Sequence, residues 1–252
     1  MTDRVFRVLD AFGDKDRSLS AAELMRRTGL PKSTAHRIIG DLVERGMLER
    51  EAGGFSLGLH LFELGCLVPP HRRLREVALP FMEDLYEATH EVVHLAIPQR
   101  YEVLYLVKIT GQRGLPLPTR DGARMPMHAT GLGKVMLAFS PRAVVRQLLD
   151  SPLRALTPYT IVVPEVLLRE LAEVARTGLA FDREEAMVGA VCVAAPIFMP
   201  GSPSLAAISV TGPSHRFDPV GAASTVRLAA AAITRGLGGV RPIAAGGEGR
   251  SR

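Results

Sequence analysis

The chain predicts an α+β protein in two parts, a winged helix-turn-helix followed by a larger α/β domain. Three observations carry this. Residues 19–48 hold two helix patterns separated by a glycine turn, and a Gly-Gly hairpin follows. Pro69-Pro70 then breaks the helical pattern, since neither proline can donate to a helix and each restricts the residue before it. Beyond that break, strand-like and helical runs interleave to residue 237.

The element order follows from local patterns. Val5, Val8, Leu9 and Phe12 lie at helical spacing over Arg4 to Phe12. Ser20-Ala21-Ala22-Glu23 is a capping box, in which the Ser20 hydroxyl meets an orphan amide and Glu23 reaches back to the cap. The helix it opens, Ala21 to Arg27, closes at Gly29. From Lys32 to Arg45, Ala35, Ile38, Ile39, Leu42 and Val43 form one apolar stripe. Leu48–Glu51 and Phe55–Leu57 pair around Ala52-Gly53-Gly54 as a wing. Gly58 to Val68 is expected to be a linker helix with one apolar side, Cys66 facing the core. Arg72 to Thr89 is the next helix. Strands are predicted at 92–97, 101–109, 179–183, 190–198 and 206–211, with helices at 131–139, 141–149, 166–177 and 220–237. The tail Gly246 to Arg252 is too small and polar to pack and is expected to be disordered. The expected divisions are 1–57, a linker over 58–71, a second domain over 72–240, and a tail over 241–252.

Composition narrows the class. At 252 residues, 47% hydrophobic and 23% charged, the chain has the make-up of a soluble globular protein. No apolar run approaches the ~18 residues of a membrane span. The first residues, Met1-Thr2-Asp3-Arg4, carry no signal-peptide core. Two cysteines, Cys66 and Cys192, do not make a disulfide framework. A cytoplasmic protein without membrane contact is expected. The net charge of +5 suits a nucleic-acid partner. Yet residues 1–60 hold ten Lys/Arg against nine Asp/Glu, whereas residues 100–147 hold eight against two. Bulk charge therefore does not locate a DNA site.

Side-chain placement does. Opposite the apolar stripe of the second helix lie Lys32, Ser33, Thr34, His36 and Arg37, all within two turns of its N-terminus. Groove-reading helices present that end to base edges. Arg37 can take a guanine edge bidentately, and Ser33 or Thr34 can bond a base or phosphate. The helix N-terminus favours phosphate. Arg50 in the wing is placed for the backbone or minor groove.

Four blocks then resemble the IclR (isocitrate lyase regulator) family. They are Leu30-Pro31-Lys32-Ser33-Thr34-Ala35-His36-Arg37, Gly54-Phe55-Ser56-Leu57-Gly58, His128-Ala129-Thr130-Gly131-Leu132-Gly133-Lys134, and Gly178 to Glu185 continuing through Val191 to Ile197. The resemblance spans residues 4–240. It implies a winged helix-turn-helix joined by a linker helix to a GAF-like effector-binding domain. It implies a pseudo-palindromic double-stranded operator, a homodimer or dimer of dimers, and a small effector, commonly an organic acid. Repression of a catabolic operon is the function it implies, with no enzymatic activity, metal or cofactor. Effector contacts are expected at Gly131, Leu132, Asp182, Cys192, Ser209 and Thr211. The Gly131 and Leu132 amides would hold a carboxylate at a helix N-terminus, Asp182 would fix a hydroxyl, an amide or a water, and Ser209 and Thr211 would donate hydroxyl bonds. Gly131 stands where the family usually has alanine, and Thr211 where serine is frequent; both bear on pocket shape. Arg113, Arg120 and Arg124 in the 111–124 loop could draw in an anion.

Two alternatives stand beside this. His90-Glu91-Val92-Val93-His94 matches a zinc-hydrolase spacing. That chemistry needs both histidines on one helical face, and Pro98 and the β-branched Val92, Val93 and Ile97 argue for a strand instead. The other alternative is a metabolite-binding module without DNA function.

Overall fold

The structure, a computed structural model, describes residues 2–111, 114–200 and 205–240. Arg113 and the 241–252 tail lie outside the described residues. The chain divides into two compact units, Met1–Arg72 and Arg73–Arg252.

In the first unit α1 (Thr2–Leu9), α2 (Ala21–Thr28) and α3 (Lys32–Glu44) precede the hairpin β1 (Leu48–Glu51) and β2 (Gly54–Leu57). Val8, Leu24, Ala35, Ile38, Ile39, Leu42, Leu48 and Phe55 make its core, so the stripe predicted on the second helix is the buried one. The Ser20 hydroxyl accepts from the Glu23 amide at 3.1 Å. The other half of the expected capping box does not form. Glu23 instead bonds Arg26 and Arg27 on its own helix, because charge-assisted bonds to guanidinium outcompete a neutral amide. Gly29 ends α2 at φ 65°, a left-handed position that favours glycine. The wing is stitched to the unit by two backbone bonds between Leu19 and Phe55, each 2.8 Å. A Cβ on Gly54 would lie 2.2 Å from the Leu19 carbonyl oxygen, so this seam requires glycine.

The linker helix α4 (Leu59–Cys66) is shorter than expected and buries none of its residues. Cys66 is exposed, not in the core. The reason is that α4 has no covering layer among the described residues: Leu59, Phe62 and Leu67 are 69%, 70% and 72% exposed. The chain does break after α4, but the prolines open the next helix, α5 (Pro69–Thr89), where the missing amide costs nothing. Pro80 also lies inside α5.

The second unit is built on a six-stranded antiparallel sheet of β3 (Val92–Gln99), β4 (Glu102–Ile109), β5 (Arg124–Pro126), β6 (Ala180–Arg183), β7 (Ala190–Phe198) and β8 (Leu205–Pro213), ordered β5-β4-β3-β8-β7-β6. The strand period of two divides its faces. Val93, Leu95, Ile97, Val193, Ile208 and Val210 pack with Leu74, Met82 and Leu85 of α5 and with Val226 and Ile233 of α9 (Pro219–Leu237). The opposite face carries Ala96, Tyr105, Ala180, Ala194 and Ala207, packed against α6 (Gly131–Ala138), α7 (Arg142–Leu149) and α8 (Pro164–Thr177). The alanines on that face leave room above the sheet, and a cavity lies there.

Candidate functional site

On α3, Lys32, Ser33, His36 and Arg37 are exposed and Thr34 is half-buried, while Ala35, Ile38 and Ile39 face inward. All five predicted reading residues therefore share the outer N-terminal part of one helix. Pro31 precedes the helix and supplies no side-chain cap. The first intrahelical bond runs from the Ala35 amide to the Pro31 carbonyl, which leaves the amides of Lys32, Ser33 and Thr34 directed at whatever docks there. On the wing, the Arg50 guanidinium carbon sits 5.1 Å above the Phe55 ring. That stacking holds an exposed cation on the hairpin.

The second site is a small cavity over the alanine-rich face of the large sheet. Strand register builds its floor. Asp182 on β6 lies opposite Cys192 on β7, which lies opposite Thr211 on β8. In the adjacent row Ala194, Ser209 and His94 stand side by side across β7, β8 and β3. The N-terminus of α6 closes one end. Thr130 caps that helix by accepting from the Gly133 amide at 3.0 Å, and the amides of Gly131 and Leu132 lie beyond the cap's reach. A Cβ on Gly131 would lie 3.2 Å from Cys192 Sγ, so the glycine keeps a notch open beside the thiol. All six residues expected to hold an effector line this one cavity.

Its electrostatics follow from burial. His94 is pushed down to about 3 by burial, with the nearby Lys108 charge acting in the same direction, and its Nε2 lies 2.8 Å from Thr119 Oγ1. Burial raises the Asp182 carboxyl to about 7, helped by the neighbouring Glu185 charge. Asp182 Oδ1 accepts from the Glu185 amide at 2.7 Å. Burial and the Asp182 charge push the Cys192 thiol up to about 12. The Ser209 hydroxyl is fully buried and lines the cavity, with the Cys192 thiol as a weak sulfur partner and no nitrogen or oxygen partner among the described residues. Buried polar atoms are rarely left so.

Sequence reasoning missed part of the wall. His94 was considered only as half of a metal motif, and Tyr105, Thr119 and Met125 were not singled out. A histidine at an inward position of an apolar strand was the available sign. The zinc-hydrolase spacing does not assemble on one helix. α5 ends at Thr89, His90 takes a left-handed φ of 52°, and His94 lies on β3. Glu91 pairs with Arg216 at 3.1 Å. Of the basic loop, Arg124 pairs with Glu102 at 3.4 Å, and Arg120 bonds the Asp121 carbonyl. No helix among the described residues is long and apolar enough to cross a membrane.

Known proteins match both units. The model of the IclR helix-turn-helix domain matches residues 2–52, and that of the bacterial transcriptional regulator IclR C-terminal domain matches residues 68–235. The HTH-type transcriptional regulator XynR of Escherichia coli K12 is 31% identical over 242 residues, covering 94% of this chain and 96% of XynR. Transcriptional repressor IclR of the same organism is 31% identical over 218 residues, 84% of this chain and 80% of the relative. Among solved structures, an IclR homolog from Microbacterium hydrocarbonoxydans, complexed with 4-hydroxybenzoate, superposes with a TM-score of 0.88 at 33% identity, covering 94% of this chain and 98% of that one. With an exposed reading helix, a wing and family matches over both units, the chain belongs to the IclR family and is a DNA-binding transcriptional regulator.

Proposed function

We propose that the protein is an effector-controlled repressor acting in the cytoplasm, with DNA contacts from residues 1–57, a linker over 58–71 and effector control from 72–240. Lys32, Ser33, Thr34, His36 and Arg37 read the major groove and Arg50 touches the backbone beside it. Two copies pair through α1 and α4, where Phe6, Leu59, Phe62 and Leu67 are exposed, and effector domains join such dimers in pairs. The dimer reads half-sites about one helical turn, roughly 34 Å, apart.

The effector is a small organic acid in the cavity. Gly131 and Leu132 present amides to its carboxylate, Ser209 and Thr211 donate hydroxyl bonds, Cys192 shapes the wall and Asp182 bonds a polar end. The Ser209 hydroxyl, with no nitrogen or oxygen partner among the described residues, is the observation that carries this reading, because a ligand oxygen would satisfy it. The Microbacterium homolog's 4-hydroxybenzoate makes hydroxylated aromatic acids the first candidates, and Tyr105, Met125 and Leu117 offer apolar surface for a ring. An effector acts only by binding one arrangement of the DNA-binding parts better than another. A thermal-shift screen of organic acids, followed by binding to promoter DNA, tests the reading. An acid that stabilises the protein and changes promoter affinity is expected; a panel with no stabilising acid counts against it.

A further inference from the structure

The charges around the cavity do not suit an ordinary anion site. Among the described residues, its only basic lining group is His94, which burial keeps neutral. The Lys108 ammonium turns to the carbonyls of Leu117 and Thr119, at 3.3 and 2.6 Å. The Lys134 ammonium is buried beneath and bonds Glu185 at 2.7 Å and Glu170 at 3.1 Å. Among the described residues, an anion entering here meets no free cation. It meets one carboxyl, Asp182, itself 7% exposed.

We propose that the cavity accepts a monocarboxylate that is hydrogen-bonded by Asp182 in its acid form, so that one proton enters with each effector molecule. This rests on the cavity being the effector site and specifies which acids it takes. The Asp182 Oδ1 atom accepts from the Glu185 and Ala186 amides, at 2.7 and 3.4 Å, contacts that favour the charged form and are outweighed by burial and the Glu185 charge. Its other oxygen is the one left to carry a proton and donate it to the ligand. The ionisable groups around Asp182 favour that form. Glu185, in the loop after β6, repels its charge; Lys134 of α6 draws the other way but is matched by Glu185 and Glu170. Cys192 of β7 and Tyr105 of β4 are both held neutral by burial. Burial already raises Asp182 to about 7, and an incoming anion raises it further. The proton comes from solvent and returns there on release. A dianion of similar size would bring a second charge with no counter-charge to meet it.

Isothermal titration at about pH 8, in phosphate and in Tris, counts the protons. The probes are pyruvate and 4-hydroxybenzoate, whose carbonyl or hydroxyl oxygen can accept from Asp182 while the carboxylate meets the Gly131 and Leu132 amides, with malonate and terephthalate as dianions. For a monocarboxylate that binds, uptake close to one proton per site is expected, with affinity falling about tenfold from pH 7.5 to 8.5. The dianions bind at least tenfold more weakly. Asp182→Asn, which keeps a donor, is expected to bind with no proton uptake and a flat pH profile. Binding without proton uptake by the wild-type protein, or a dianion binding as tightly as its monoanion, overturns the proposal while leaving the cavity reading standing. Failure of every acid to bind overturns both.

Discussion

Lys134 Nζ lies 2.7 Å from Glu185 Oε1, with side-chain exposures of 0% and 4%. The pair ties the loop after β6, which supplies Ala186 and Met187 to the cavity wall, to the helix whose N-terminus forms the cavity's end. Removing one partner strands a buried charge, which costs roughly 3–5 kcal/mol. Lys134→Met should lose stability on that scale in urea unfolding, and Lys134→Met combined with Glu185→Leu should recover most of it. Equal loss in the single and double variants would show that the pair is not the cause.

Two glycines two residues apart in the first turn of α6, Gly131 and Gly133, should behave differently. A Cβ on Gly133 would fall 2.1 Å from the Met127 carbonyl oxygen, a clash with backbone. Gly133→Ala should destabilise by about 1–3 kcal/mol or more. On Gly131 the nearest atoms are Cys192 Sγ at 3.2 Å and Ala194 Cβ at 3.4 Å. Gly131→Ala should therefore fold with little loss and reduce the affinity for acids by narrowing the notch. Thermal melting with and without ligand separates the two outcomes.

Ser209→Ala removes a hydroxyl whose only neighbouring partner among the described residues is the weak Cys192 thiol. Stability without ligand should be unchanged or slightly higher, since an unsatisfied buried group is costly. Affinity for the effector should fall roughly 5- to 10-fold, the loss of one hydrogen bond. Isothermal titration beside thermal melting checks both halves; a fall in ligand-free stability would indicate a structural hydroxyl.

Asp182 and His94 should tilt stability in opposite directions with pH. Asp182 is raised from 3.8 to about 7, so between those values the folded state holds a proton that the unfolded chain has lost, and stability drops as pH rises. His94 is lowered from 6.5 to about 3, so over much of the same window the unfolded chain holds the extra proton, and stability drops as pH falls. The two slopes oppose each other. Relative to wild type, Asp182→Asn should gain stability as pH rises from 4 to 6.5, and His94→Asn should lose it, each by up to about 1.4 kcal/mol per pH unit. Urea unfolding across that range reads the slopes.

Arg37→Ala should weaken promoter binding by roughly 10- to 100-fold and relax specificity at one base pair. Lys32→Ala should weaken binding uniformly and lower the salt slope by about one. Neither should change the melting temperature, since both side chains are exposed. Fluorescence anisotropy at several salt concentrations distinguishes them.

The reading helix was legible because its period, its flanking glycines and its polar outer face are all local. The effector contacts expected at Asp182, Cys192, Ser209 and Thr211 come from family resemblance, and only the β6-β7-β8 register shows why these residues line one cavity. The place of His94 in the cavity wall, and Tyr105 and Thr119 beside it, were not legible because their proximity depends on the pairing of β3 with β8 and β4 and on a loop returning 25 residues later. Cys66 and α4 misled for a different reason: apolar spacing reports which residues prefer burial, not whether a covering surface lies within the same chain.

Occupancy of the cavity is proposed to govern the DNA affinity of α3. Promoter affinity should be measured with and without the monocarboxylate that most raises the melting temperature, in wild type and in Ser209→Ala. Promoter affinity should change about 5- to 150-fold in wild type, the usual range of coupling between sites, and the titration midpoint should move to higher ligand in the variant. A ligand that raises the melting temperature yet leaves promoter affinity untouched would contradict it.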